Sequence, residues 1–142
     1  MAFVKKSGAT KTIYLPVTTG TAFTKGTIVS FSAGYLIPAT SITTALSHIG
    51  VIKKDIALTD SDIDTARSVP VEVPVERNVI WEAPVTATLV VADVGELVNL
   101  TDAGTVDRAS SGTVAIGRCM KYISTTKGWF KLNLGGKTGM CV

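Results

Sequence analysis

The stretch Val69-Pro70-Val71-Glu72-Val73-Pro74-Val75-Glu76 decides the fold class. Valine holds every odd position, so an extended backbone places all four valines on one face and Pro70, Glu72, Pro74 and Glu76 on the other. The valine face faces a core. Backbone groups of same-parity residues point to the same edge of a strand, and two prolines remove two donors from that edge. The spacing therefore predicts a strand that either forms a sheet edge or pairs irregularly on one side. Its bare side is blunted against casual strand addition.

Similar short extended segments lie on both sides of it. Lys11 to Val17, 27–32, 35–37 and 48–53 precede it, with Ala33-Gly34 turning the second into the third. Val79 to Glu82, Val85 to Val91 and 95–100 follow. Asp102-Ala103-Gly104 then turns the chain into 105–108, and two more strands, 113–123 and 129–134, lie around Thr125-Thr126-Lys127-Gly128. Thr59, with Asp60 and Asp62 behind it, caps the only expected helix, a short one. Short strands at regular spacing with glycine turns predict an all-β barrel or sandwich.

Composition agrees. Thr, Val and Ile supply 48 of the 142 residues, and β-branched side chains suit a pleated sheet better than a helix. Hydrophobic residues make up 46% and charged residues 18%, which excludes a disordered chain. No apolar run approaches the roughly 18 residues of a membrane helix. The opening MAFVKKSGATK has lysines but no apolar h-region, so no export is expected. Cys119 and Cys141 are accordingly expected to be free thiols, and the sequon Asn99-Leu100-Thr101 carries little weight.

Charge is segregated. Residues 1–54 hold six lysines and no acid; residues 55–107 hold all 11 acids against Arg67 and Arg77; residues 108–142 hold six basic residues and no acid. Pairing across strands within one chain would use this pattern, and so would basic ends of one subunit meeting the acidic middle of another.

The candidate chemical motifs are weak. His48 is the only histidine, and its neighbour Ser47 points to the opposite face of a strand. Asp60-Ser61-Asp62-Ile63-Asp64 begins like a calcium loop, but Thr65 and Val71 stand where that loop needs Gly and Glu. Gly112 to Cys119 has the glycine spacing of a phosphate loop without its lysine or its helix. The pairs Glu72/Glu76 and Asp93/Glu96 imply no cleft. Lys121-Tyr122 and Trp129-Phe130-Lys131 place aromatics beside lysines as single-strand binders do. However, Trp129 and Phe130 face opposite ways, and the acidic middle repels phosphates, so nucleic acid is not an expected partner. No catalytic residue, cofactor or metal ligand is expected.

Several pieces in order resemble the small cement, or decoration, proteins of tailed-bacteriophage capsids. These are Gly26-Thr27-Ile28-Val29, Gly34-Tyr35-Leu36-Ile37-Pro38-Ala39-Thr40, Ile49-Gly50-Val51, the strand from Val69, Val94-Gly95-Glu96-Leu97-Val98-Asn99-Leu100, Ala115-Ile116-Gly117-Arg118, and Gly128-Trp129-Phe130-Lys131-Leu132-Asn133-Leu134. The resemblance covers residues ~20–134 and consists of glycine turns and apolar strands rather than reactive residues. It implies a compact β-barrel or β-tulip head that trimerises on the outer capsid and clamps neighbouring major capsid proteins. The acidic insert Asp55 to Thr65 and the long segment before Thr18 depart from the pattern.

Together these readings give an extended N-terminal arm (1–15), a head domain (16–134) and a flexible tail (135–142). The expected function is a non-enzymatic virion structural protein, made in the host cytoplasm and placed on the outer capsid surface. Its expected partners are the major capsid protein and two further copies of itself. A head-fibre base, a tail-tube subunit and a β-barrel nucleic-acid or ligand-binding module are the alternatives. Phe3, Val4, Lys5, Lys6 and Lys11 are the expected contacts with the capsid or a neighbouring subunit. Trp81 and Trp129 are candidate interface anchors, and core packing is the competing role for each.

Overall fold

A computed structural model describes residues 3–17, 21–32, 34–39, 48–57, 68–76, 78–86, 88–108, 115–132 and 134. Eleven strands occupy them: β1 (Val4–Ser7), β2 (Thr10–Pro16), β3 (Ile28–Ser32), β4 (Tyr35–Pro38), β5 (His48–Ile52), β6 (Ser68–Pro74), β7 (Ile80–Pro84), β8 (Leu97–Asp102), β9 (Thr105–Arg108), β10 (Ala115–Ser124) and β11 (Lys127–Leu132). They form two antiparallel sheets, ordered β1-β7-β11-β10-β8-β9 and β2-β6-β5-β3-β4. The expected all-β class is what the structure has. Among the described residues the only helical element is a 3-10 turn at Val91–Asp93.

Neither sheet closes into a barrel, yet both curl. One isolated parallel bridge, Val17 to Leu36, joins the outer strands of the five-stranded sheet, and another, Val85 to Val106, joins the ends of β7 and β9 in the six-stranded sheet. Each curl wraps its own apolar cluster. The five-stranded sheet encloses Val17, Phe23, Val29, Leu36, Ile49, Ile52, Ile56, Val69, Val71 and Val73. The six-stranded sheet encloses Trp81, Leu89, Val98, Leu100, Val106, Ile116, Cys119, Phe130 and Leu132, and Ile28 and Val51 join it from the other sheet. The adjacent pairs Ile28/Val29 on β3 and Val51/Ile52 on β5 therefore split between the two clusters, and both strands contribute to both cores. The backbone N–H of Ile28 donates to Ala103 O in the β8–β9 turn at 2.7 Å, which ties the sheets together.

The valine strand behaves as its pattern predicts. Val69, Val71 and Val73 are fully buried on one face. β6 pairs with β2 over seven registered residues but with β5 over only two. Pro70 and Pro74 point their missing donors at β5; Pro70 O still accepts the Lys53 N–H at 2.9 Å. The strand is thus not an edge, and its irregular side is the proline side. Gly50 of β5 makes that close crossing feasible, because a methyl at its Cα would run into Glu72 O.

Two local expectations are revised. The N-terminal segment does not stand free as an arm. β1 pairs with β7, β2 pairs with β6, and the Phe3 N–H donates to Gly26 O at 2.8 Å. The described residues of Val85 to Val91 do not form a strand either. Thr86 N–H reaches Val106 O and Leu89 N–H reaches Thr125 O, both at 2.9 Å. The buried Asp93 carboxylate then accepts the Val90 N–H at 3.0 Å and turns the chain. The expected helix start at Thr59 and the tail 135–142 lie outside the described residues.

Candidate functional site

β1 and β2 decide what the N-terminal residues can touch. Phe3 is 3% exposed and belongs to the core of the six-stranded sheet, so it differs from its expected role as an anchor for another chain. Its distant partners in sequence are the reason: nothing near Phe3 in the chain is apolar enough to announce a core. Val4 is 46% exposed, and Lys5, Lys6 and Lys11 are exposed. Lys6 Nζ lies 3.6 Å from Glu82 Oε2, so it serves its own sheet. Beside β1 runs an open groove of about 360 Å³ whose lining includes Val4, Lys5, Lys25, Val51, Lys53 and Glu72. Within it Glu72 is already engaged, by Thr10 Oγ1 at 2.6 Å and Lys53 Nζ at 3.3 Å. Lys5 and Lys25 leave the groove with a net positive charge.

The outer face of the six-stranded sheet is a second basic surface, and its register can be followed strand by strand. Directly opposed residues share a face. One row runs Lys121, Trp129, Glu82, Val4 across β10, β11, β7 and β1. The next runs Leu97, Arg118, Lys131, Ile80 across β8, β10, β11 and β7.

In the first row Glu82 is a hub. It accepts the Trp129 indole N–H at 3.0 Å and lies 3.6 Å and 3.5 Å from the ammonium groups of Lys6 and Lys127. The Trp129 bond, followed by the two lysines, holds its carboxyl below the ordinary value despite partial burial. Lys121 Nζ sits 4.6 Å from the Trp129 ring centroid, a cation–π contact.

The two tryptophans therefore differ. Trp81 is fully buried in the core, and Trp129 is half-buried on the outer face. Phe130 points the other way and is fully buried, as strand alternation requires.

No reaction centre assembles among the described residues. There, no group of three or more His, Cys, Asp or Glu side chains is placed to hold a metal ion. His48 lies in β5, while Ser47 and the acidic run Asp60 to Asp64 fall outside the described residues. Of the phosphate-loop mimic, residues 115–119 are strand β10 rather than a loop and helix. Asp93 is paired with Arg108 Nη1 at 3.5 Å, away from any cleft role with Glu96. Glu72 is tied down by Thr10 and Lys53, and Glu76 lies on the exposed surface just beyond β6. Cys119 is a buried free cysteine whose thiol pKa is raised chiefly by burial, which makes it a packing residue and not a nucleophile. Cys141 falls outside the described residues. Asn99 of the sequon is 5% exposed, and its Nδ2 donates to Leu100 O at 3.1 Å. No helix among the described residues is long and apolar enough to cross a membrane.

Comparison with protein-family models finds no match to the chain, and comparison with curated proteins finds no similar sequence.

Proposed function

We propose that this protein is a non-enzymatic virion structural protein that binds the outer surface of a tailed-phage capsid and stabilises it by clamping neighbouring major capsid proteins. The observation that carries the reading is the ordered series of glycine turns and apolar strands from Gly26 to Leu134. That series resembles capsid decoration proteins over most of the chain. Three features support it. The fold is all-β, built of short strands around two cores. Among the described residues, Glu72, Glu82 and Asp93 are each engaged in an ion pair with a lysine or arginine of the same chain. Val90, Val91, Val94, Leu97 and Met120 are exposed apolar residues on or beside the six-stranded sheet, which a subunit or capsid contact would cover.

On this reading the head is a homotrimer, and Val4, Lys5 and Lys11 belong to the capsid-facing surface. Phe3 does not, because the core holds it. The deciding experiment mixes purified protein with expanded capsids and follows co-sedimentation, with mass spectrometry of virions alongside. Saturable, stoichiometric binding is expected, together with greater capsid resistance to heat. Failure to co-sediment, with no such protein in virions, would refute the proposal. Light scattering tests the trimer separately; a stable monomer at high micromolar concentration counts against it.

A further inference from the structure

The second row on the outer face of the six-stranded sheet contains an electrostatic fault. Arg118 of β10 and Lys131 of β11 are registered directly opposite each other. Their neighbours in the row are Leu97 and Ile80, both apolar. Opposed residues on one face bring their Cβ atoms to roughly 5 Å, where like charges repel and destabilise the pair. Four ion pairs are found among the described residues, and neither Arg118 nor Lys131 takes part in one. The one carboxylate of the adjacent row, Glu82, is already shared by Lys6, Lys127 and the Trp129 indole. The sequence itself supplies no acidic side chain from Arg108 to Val142.

The same two cations flank a depression. Leu97, Ala115, Gly117, Arg118 and Lys131 line an open groove of about 270 Å³. A register shift between Ala115 and Gly117 bends β10 there. A methyl at Gly117 would collide with Lys131 O, so only glycine lets the two strands approach this closely. The guanidinium is also held in place: Arg118 Nη1 donates to Gly95 O at 2.9 Å. An oriented planar donor set on one side and a mobile point charge on the other is the arrangement that recognises an oxygen anion.

We propose that Arg118 and Lys131 form an oxyanion-binding site, in which a phosphate or carboxylate group seats in this groove and relieves the repulsion between them. The site is independent of the capsid reading. It is also separate from the groove beside β1.

The test is a titration of the full chain with inorganic phosphate, and separately with glutarate, at constant ionic strength balanced by chloride. Binding is followed by the Arg118 side-chain NMR signal and by the melting temperature. A saturable shift of that signal and a rise in melting temperature are expected. Tighter binding of phosphate assigns a phosphoryl source for the anion, and tighter binding of glutarate assigns a carboxylate source. Lys131→Gln is expected to weaken the response about tenfold, equivalent to 1.4 kcal/mol. The same substitution is expected to raise the melting temperature in anion-free buffer, because it removes the repulsion. Lys127→Gln, whose lysine pairs with Glu82, should leave the anion response intact. The proposal is overturned if the signal shift never saturates, if the response tracks ionic strength alone, if it survives in Lys131→Gln, or if Lys131→Gln lowers the melting temperature without anion.

Discussion

Replacing Phe3 by alanine separates a docked N-terminal segment from a mobile one. Phe3 is 3% exposed and shares its cluster with Ile28, Val51 and Trp81. Truncating a buried phenylalanine costs about 3–5 kcal/mol, from lost transfer energy and the cavity left behind. Phe3 lies near the chain start, where the backbone can partly collapse into the void, so the lower end, about 3 kcal/mol, is expected. The Phe3 N–H bond to Gly26 O survives the substitution, so the loss reports the side chain alone. For a chain of this size each kcal/mol moves the melting temperature by about 3–4 °C, which gives a fall of roughly 10 °C. Denaturant unfolding should show a lower midpoint with an unchanged slope. Val4→Ala is the control: Val4 is 46% exposed, and its replacement should stay within about 0.5 kcal/mol. If Phe3→Ala left stability within about 0.5 kcal/mol of wild type, the segment would not be docked in solution and β1 would not pair with β7 there.

Three other outcomes are expected. Gly50→Ala places a methyl against Glu72 O and 3.0 Å from Val73 Cγ1, and should cost about 1–3 kcal/mol in thermal melts; a neutral result would mean that β5 and β6 do not cross as closely as described. Trp81→Ala should cost about 3–5 kcal/mol, whereas Trp129→Ala, which loses one hydrogen bond and one cation–π contact on a half-exposed face, should cost well under half of that; equal losses would contradict their assignment to opposite faces. Glu82 has a folded-state pKa below its ordinary value of 4.5, held there chiefly by the Trp129 hydrogen bond, so its contribution is fully present above pH 4.5 and is lost as pH falls through the folded value. Melting temperatures from pH 7 down to 3 should therefore fall more steeply for wild type than for Glu82→Gln, and parallel curves would remove Glu82 as the hub of that face.

What could be read from the sequence depended on how far apart the interacting residues lie. The β6 valines announce their face because alternation is a local property, and the two prolines announce which edge pairs poorly. The opposite orientation of Trp129 and Phe130 was legible for the same reason. The pairing of β1 with β7 was not, since Val4 meets Glu82 across more than half the length of the chain. A lysine-rich segment with one phenylalanine carries no local sign of that contact. Val85 to Val91 misleads in the reverse sense: its valine content suggests a strand, but the Asp93 carboxylate captures the Val90 N–H and ends the extended run. The Arg118–Lys131 pair was invisible because it depends on register. The pairing shifts between Cys119 and Lys121, and in a sheet a slip of one residue exchanges the faces.

Residues 3–16 bear on the proposed capsid interface in a way that their composition conceals. β1 forms one edge of the six-stranded sheet and β2 one edge of the five-stranded sheet, so this segment fastens both layers. Gly8 joins the strands at φ 96°, with no room for a side chain beside Val79. A disordered arm would lose conformational entropy on binding, about 1–2 kcal/mol for each residue ordered. A segment already held in two sheets has met that cost during folding, so on the proposed function its exposed Lys5 and Lys11 would meet the capsid preorganised. Deleting the segment would then do more than remove contacts. It would take Phe3 from one core, the Lys6–Glu82 pair from one face, and the seven-residue partner of β6 from the other sheet. Weaker capsid binding after such a deletion would reflect unfolding of the head as much as loss of an attachment point. Lys5→Gln and Lys11→Gln, which leave both strands in place, are the substitutions that isolate attachment: they should reduce binding and its salt dependence while leaving the melting temperature unchanged.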